Sequence, residues 1–123
     1  MSPAIRTTEL LSWDDFERMV AFLIDRLSEY RLTGVYGIPR GGLVLATVIS
    51  HRMGIPLLGA PVKGCVVVDD ISDTGRTLLP YEGRYVTATL YYAKDTQVMP
   101  DVTVRKKSAN WIVFPWEDEH EGQ

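Results

Sequence analysis

Cysteine is almost missing from this sequence. Cys65 is the only one, which excludes an intramolecular disulfide, and its place in the apolar run Cys65 to Val68 reads as a buried thiol rather than a nucleophile. Histidine is scarce as well. His51 and His120 lie far apart, and no Cys/His spacing suggests zinc, so any metal must be held by carboxylates or by a bound substrate. Positive charge is not in excess: Lys and Arg total 13 against 16 Asp and Glu, a net charge of -3. That balance argues against an extended basic surface for nucleic acid or acidic lipid, and any anionic ligand must be gripped locally. No uncharged run approaches the length of a membrane span, and no basic segment precedes an apolar stretch at the N-terminus. The chain is therefore expected to lack a signal peptide and to be cytoplasmic.

What is there is an ordinary globular composition, with 46% hydrophobic and 24% charged residues in 123 positions. A chain of this length can bury enough surface to fold on an apolar core alone, and the expectation is one domain over residues 1–123. Ser12 followed by Asp15 looks like a helix N-cap, and Trp13, Phe16, Val20, Leu23 and Leu27 recur at helical spacing, predicting a helix from Trp13 to Glu29. Gly34 breaks it. Val35 to Gly37 reads as a strand, Leu43 to Met53 as a helix stopped by Gly54 and Pro56, and Ile55 to Leu58 and Cys65 to Val68 as two further strands. A helix should begin near Thr74 or Gly75 and be shortened or bent by Pro80. Val86 to Tyr92 and Trp111 to Phe114 complete the strands, and the acidic stretch Glu117 to Gln123 reads as a solvated, frayed end. Short, continuously apolar strands alternating with helical segments predict an α/β fold, a doubly wound parallel sheet of about five strands with helices on both faces. Ligands then bind at the carboxyl ends of the strands.

Two segments fall at such ends. Val66 to Thr77 reads VVVDDISDTGRT. The hydroxyls of Ser72, Thr74 and Thr77 and the backbone N–H groups of this loop, including Arg76, can surround a phosphate at a helix start, with Gly75 allowing close approach. The carboxylates of Asp69 and Asp70 accept hydrogen bonds from vicinal sugar hydroxyls and can position Mg²⁺ through water. Taken singly, Asp69, Asp70 and Asp73 also read as strand or helix caps. The other segment, Gly37-Ile38-Pro39-Arg40-Gly41-Gly42, is neither GxGxxG nor GxxxxGK[ST], which counts against a dinucleotide site or a P-loop.

The combination of hydrophobic residues, two acids and D-T-G-x-T resembles the motif of the type I phosphoribosyltransferases, which use 5-phosphoribosyl 1-pyrophosphate. The resemblance covers Val35 to Glu117 and implies that fold with a minimal hood, Mg²⁺ as cofactor, Asp69 to Thr77 on the ribose 5-phosphate, Gly37 to Gly42 on the pyrophosphate, and a homodimer. Asp73 would be the general base near purine N7, and Arg40 would stabilise the leaving pyrophosphate. Tyr92-Ala93-Lys94 and Trp111 to Glu117 resemble the base-recognising end of bacterial xanthine-guanine phosphoribosyltransferases. By that likeness Lys94 donates to a 6-oxo group, Trp111 stacks on the base and Ile112 meets the 2-substituent. The chain departs from the family in one respect: a long flexible loop normally closes the site, and here only Gly59 to Gly64 joins Leu58 to Cys65. The reading is therefore transfer of phosphoribosyl to a 6-oxopurine. The rival from another class is a non-catalytic module that binds the sugar pyrophosphate or a nucleotide as a regulator.

Overall fold

The structure is a computed structural model and describes residues 8–118. His120 and most of the acidic tail lie outside the described residues. In chain order come β1 (Thr8–Leu10), α1 (Trp13–Leu27), β2 (Val35–Gly37), α2 (Leu43–Met53), β3 (Leu57–Leu58), β4 (Val66–Ser72), a 3₁₀ turn (Leu79–Tyr81), β5 (Val86–Tyr92), β6 (Val102–Lys106) and β7 (Trp111–Val113).

Five strands form one parallel sheet in the order β3-β2-β4-β5-β6. The chain moves outward from β2 to β3, then returns past β2 to lay down β4, β5 and β6. The order therefore reverses between β2 and β4, and a crevice opens at that switch point, outside the carboxyl ends of the strands. A second, two-stranded parallel sheet pairs β1 with β7, Thr8 opposite Trp111 and Leu10 opposite Val113.

Helix α1 starts as its sequence requires: the Asp15 N–H donates to Ser12 Oγ at 3.0 Å. Phe16, Met19, Val20, Leu23 and Leu27 form its buried stripe, spaced three and four apart. They pack with Leu45, Ala46 and Ile49 of α2 on one face of the sheet, against Val35, Val66, Val68, Ala88 and Leu90. Residues of opposite parity in the strands face the other way. There Val67 and Cys65 pack with Leu78 and Val98 under Tyr36, Tyr81 and Tyr85. The parallel α/β sheet is as expected, with both faces covered, but both α-helices lie on one face and the second is roofed by the 3₁₀ turn and its loops. Pro80 and the left-handed Gly83 (φ 76°) explain why no α-helix grows from Thr74. The buried state of Cys65 is as the sequence implied.

Helix α1 and strand β3 are shorter than expected, one strand is longer and two strands were not expected. Strand β4 runs on through the acid pair to Ser72, because it is central and pairs with β5 as far as Ser72 opposite Tyr92. Strand β6 lies at the sheet edge, and its half-polar sequence VTVRK conceals it. Strand β1, only three residues long, has no periodicity to detect. No helix among the described residues is long and apolar enough to cross a membrane.

Candidate active site

Four loops leave the carboxyl edge of the main sheet close together, following β2, β4, β5 and β6. A cavity of about 480 Å³ opens between the first two, within the size range of small-molecule sites. Its walls are Pro39 to Gly41, Asp69 to Gly75, Thr77, Leu78, Trp116 and Glu117. The two segments singled out in the sequence thus face each other.

The loop after β2 is held from below. Ile38 N–H donates to the Val68 carbonyl at 2.9 Å and Gly42 N–H to the Ile38 carbonyl at 2.8 Å. A Cβ on Gly42 would stand 2.3 Å from the Val68 carbonyl oxygen, so only glycine fits there. Gly37, Ile38 and Gly42 therefore support the loop, and Pro39, Arg40 and Gly41 present it to the cavity. The N–H groups of Arg40 and Gly41 meet no acceptor among the described residues, and the Arg40 guanidinium adds further donors.

The loop after β4 divides similarly. Ser72 was expected to offer its hydroxyl to a phosphate, but that hydroxyl is turned inward, donating to the Val98 carbonyl at 2.9 Å and paired with the Thr96 hydroxyl at 2.8 Å. Ser72 is buried because it still belongs to β4. Arg76 is likewise outside the cavity: its N–H donates to Thr74 Oγ1 at 3.2 Å and its side chain is exposed. The N–H groups of Thr74, Gly75 and Thr77 take no protein acceptor among the described residues. Gly75 has φ 91°, and a Cβ there would meet Val98 N at 2.6 Å, so the backbone crosses the next loop at a distance no side chain permits. The cradle is a nest of loop amides, not the N-terminus of a helix.

Asp69 and Asp70 stand between the two loops, one buried and the other half-buried. Burial, then the adjacent Asp70 charge, pushes Asp69 from the ordinary 3.8 up to about 8. Burial also raises Asp70. Both carboxyls thus hold a proton more readily than exposed ones, and a cation or several hydroxyl donors would relieve them. Among the described residues no group of three His, Cys, Asp or Glu is placed to hold a metal ion. The donor set suits Mg²⁺, which binds through one or two carboxylates together with waters and substrate phosphates.

A smaller pocket of about 120 Å³ adjoins the cavity. It shares Asp70, Ile71, Asp73 and Glu117 with it and adds Lys107, Trp111, Ile112 and Phe114. Trp111 and Ile112 thus share a pocket with Asp70 and Asp73. Lys94 does not join them; it lines a neighbouring cleft with Asp73, Thr74, Gln97, Lys106 and Lys107. Lys107 is a lining residue that the sequence did not single out, and Trp116 and Glu117 are lining residues that lay in the Trp111 to Glu117 segment without an assigned role. Trp116 is stacked on Phe114 with ring centroids 5.0 Å apart, and Glu117 accepts from Phe114 N–H at 2.9 Å, so this turn is ordered up to the cavity rather than frayed.

A solved purine phosphoribosyltransferase from Pyrococcus horikoshii Ot3 is 32% identical to the chain, with 91% of this chain and 95% of that one covered and a TM-score of 0.79. The chain belongs to the phosphoribosyltransferase family. A xanthine-guanine phosphoribosyltransferase from Desulfotalea psychrophila is 28% identical over 150 residues, covering 97% of this chain and 92% of its own. The Helicobacter pylori xanthine-guanine-hypoxanthine phosphoribosyltransferase shares the fold, with a TM-score of 0.77 at 17% identity and coverage of 93% and 96%. No family model matches the sequence. As a phosphoribosyltransferase the chain is an enzyme of the glycosyltransferase class, built on the α/β parallel-sheet fold that the motif implied.

The loop that closes the site in this family is absent by length and by position. Residues 59–65 run from the carboxyl end of β3 to the amino end of β4, and their last residues lie at the amino edge of the sheet. There they are pinned by Thr33 N–H to the Gly64 carbonyl at 3.0 Å and by Thr33 Oγ1 to the Lys63 carbonyl at 2.8 Å. None of them lines the cavity.

Proposed function

We propose that the enzyme transfers phosphoribosyl from Mg²⁺-bound 5-phosphoribosyl 1-pyrophosphate to N9 of a 6-oxopurine, guanine, xanthine or hypoxanthine, releasing pyrophosphate in purine salvage. The observation that carries the reading is convergence. The acid pair, the amide cradle at Thr74 to Thr77 and the Arg40 loop border one cavity, and the Trp111 pocket opens from it at Asp73. The purine and xanthine-guanine specificities of the relatives point the same way.

In this reading Asp69 and Asp70 accept from the ribose 2- and 3-hydroxyls and hold the metal through water. Magnesium would neutralise the pyrophosphate as it departs. The 5-phosphate takes the N–H groups of Thr74, Gly75 and Thr77. The pyrophosphate takes Arg40 and the N–H groups of Arg40 and Gly41, donors fixed before charge develops on the leaving oxygen. As the C1–pyrophosphate bond breaks, positive charge grows on the sugar ring, and the buried acid pair lies beneath it. The base, stacked on Trp111, attacks through N9 while Asp73 accepts a proton from N7. Small-molecule substrates, a cytoplasmic location and a homodimer complete the proposal.

The test is pyrophosphate release by the purified protein with guanine, xanthine, hypoxanthine, adenine, uracil and orotate in turn. Release with the three 6-oxopurines and little with the others is expected. The absence of a closing loop favours one second reading, a module that binds the sugar pyrophosphate or a nucleotide as a regulator. Tight binding without release for any base would move the protein there.

A further inference from the structure

We infer that Tyr91 and Glu9 form a latch between the two sheets that sets the position of the base pocket, which makes both of them positioning residues for the base. The inference rests on the assignment of Trp111 and Ile112 to the base above. Those two residues stand outside the main sheet. They belong to β7, whose strand partner is β1, with Glu9 opposite Ile112. A two-stranded sheet with three residues in each strand has little stability of its own, so its place is decided by what it touches in the body of the fold.

Tyr91 reaches it from the carboxyl end of β5. The residue is buried, its ring meets Phe114 edge to face with centroids 6.0 Å apart, and it shares one core with Ile112. Its hydroxyl donates to Glu9 Oε2 at 3.2 Å. Burial, then the Glu9 charge, pushes that hydroxyl from the ordinary 10.0 up to about 12, so it stays a donor near neutrality. In β4 the residue opposite Tyr91 is Ile71, which lines both the cavity and the Trp111 pocket. The latch therefore connects the strand beside the acid pair to the strand beside β7. Apolar packing would be served as well by phenylalanine, and it is not directional. The hydrogen bond is directional, and a buried hydroxyl deprived of its acceptor is costly. Together these hold the small sheet where Glu9 meets Tyr91, and with it the backbone of Ile112 and the ring of Trp111.

Tyr91→Phe removes one oxygen and keeps the ring. Its KM for the purine base should rise roughly fivefold or more, the range expected for one hydrogen bond to a charged group. Its kcat at saturating base and its affinity for the magnesium sugar pyrophosphate, whose proposed contacts lie on other loops, should stay within about twofold of wild type. Hydrogen exchange should quicken at the Trp111 to Val113 amides and not at those of Val66 to Val68. Glu9→Ala, which leaves the aromatic packing intact, should reproduce both effects. Glu9→Gln, whose amide oxygen still accepts, should restore the KM for the base, and Tyr91→Phe combined with Glu9→Ala should be no worse than either alone. Circular dichroism melts establish that the variants fold. An unchanged KM for the base in Tyr91→Phe and Glu9→Ala, equal weakening of base and sugar pyrophosphate, or additive effects in the double variant would overturn the latch, the second because the bond would then stabilise the fold at large. A wild type that transfers phosphoribosyl to no purine, with β7 loosened in Tyr91→Phe, would refute the proposed reaction and leave the hold on β7 standing.

Discussion

The Asp70 carboxylate lies against the bare backbone of Gly41: a Cβ added there would stand 2.6 Å from Asp70 Oδ2. The clash is with the end of a side chain, which can swing away, but only by leaving the place from which the proposed function has it meet the ribose. Gly41→Ala is therefore expected to fold with a melting temperature within a few degrees of wild type and to lose most of its affinity for the magnesium sugar pyrophosphate. Gly42→Ala meets the Val68 backbone instead and should destabilise the fold by about 2 kcal/mol or more. Calorimetry and thermal melts of the pair distinguish the two. Equal melting temperatures would disprove the contrast.

Asp69 makes stability depend on pH in the opposite sense from an ordinary surface carboxylate. Its ionisation lies at about 8 in the fold against 3.8 ordinarily. Between those values the native state holds a proton that the unfolded chain has released, so stability falls as pH rises through the window and levels off above it. A tenfold difference in proton affinity between the folded and unfolded states is worth about 1.4 kcal/mol, and with Asp70 sharing the proton the total should be a few kcal/mol. Urea midpoints measured from pH 5 to pH 9 should decline, and Asp69→Asn should flatten the slope. Magnesium with the sugar pyrophosphate should stabilise most at the alkaline end, where Asp69 is closest to ionising. A wild-type midpoint that rises with pH over this range would contradict the buried-pair account.

Ser72 and Thr77 sit five residues apart in one motif but should respond differently to alanine. The Ser72 hydroxyl bonds to Val98 and Thr96 and ties β4 to the loop after β5. Its loss leaves a buried carbonyl short of one donor and should cost about 1 to 2 kcal/mol of stability. Thr77 is exposed and lines the cavity. Thr77→Ala should leave stability within about 0.5 kcal/mol and weaken binding of the 5-phosphate. Denaturant melts and calorimetry read both quantities, and a Ser72→Ala protein as stable as wild type would disprove the structural role.

The contrast between these two residues also shows where sequence reading succeeds. Helices α1 and α2 and strands β2 and β5 announce themselves by apolar spacing, a Ser12 cap and Gly and Pro stops, all of which act within a few residues. The acid pair and the Arg40 loop are legible only in combination, because two acids followed by D-T-G-x-T resemble a family motif, whereas each Asp alone also reads as a cap. Ser72 misleads because polar residues after Val68 look like the end of a strand, whereas pairing with β5 carries the strand onward. Lys107 escapes notice because its place at the site depends on β6, whose half-polar sequence conceals the strand. Lys94 draws attention by its place in a recognisable segment, but the registers of β5 and β6 bring Lys107 to the Trp111 pocket.

The short link over residues 59–65 carries the most demanding prediction. Its end is pinned to Thr33 and none of its residues lines the cavity, so under the proposed function the reaction is expected to run in contact with solvent. Fixed donors at Arg40 and Gly41 then work in a higher effective dielectric, and each stabilises the leaving pyrophosphate less than it would in a closed site. Turnover should fall well below the roughly 10 per second of a typical enzyme. Water also competes with purine N9 for the sugar carbon, so some sugar pyrophosphate should be hydrolysed without forming nucleotide. The ratio of pyrophosphate released to nucleotide formed is expected to exceed one and to approach one as base concentration rises, because a bound base occupies the direction from which water attacks. A ratio of one at every base concentration, together with ordinary turnover, would mean that another element closes the site. The turn carrying Trp116 and Glu117 already borders the cavity, and Trp116→Ala would then be the variant to show it, by restoring hydrolysis.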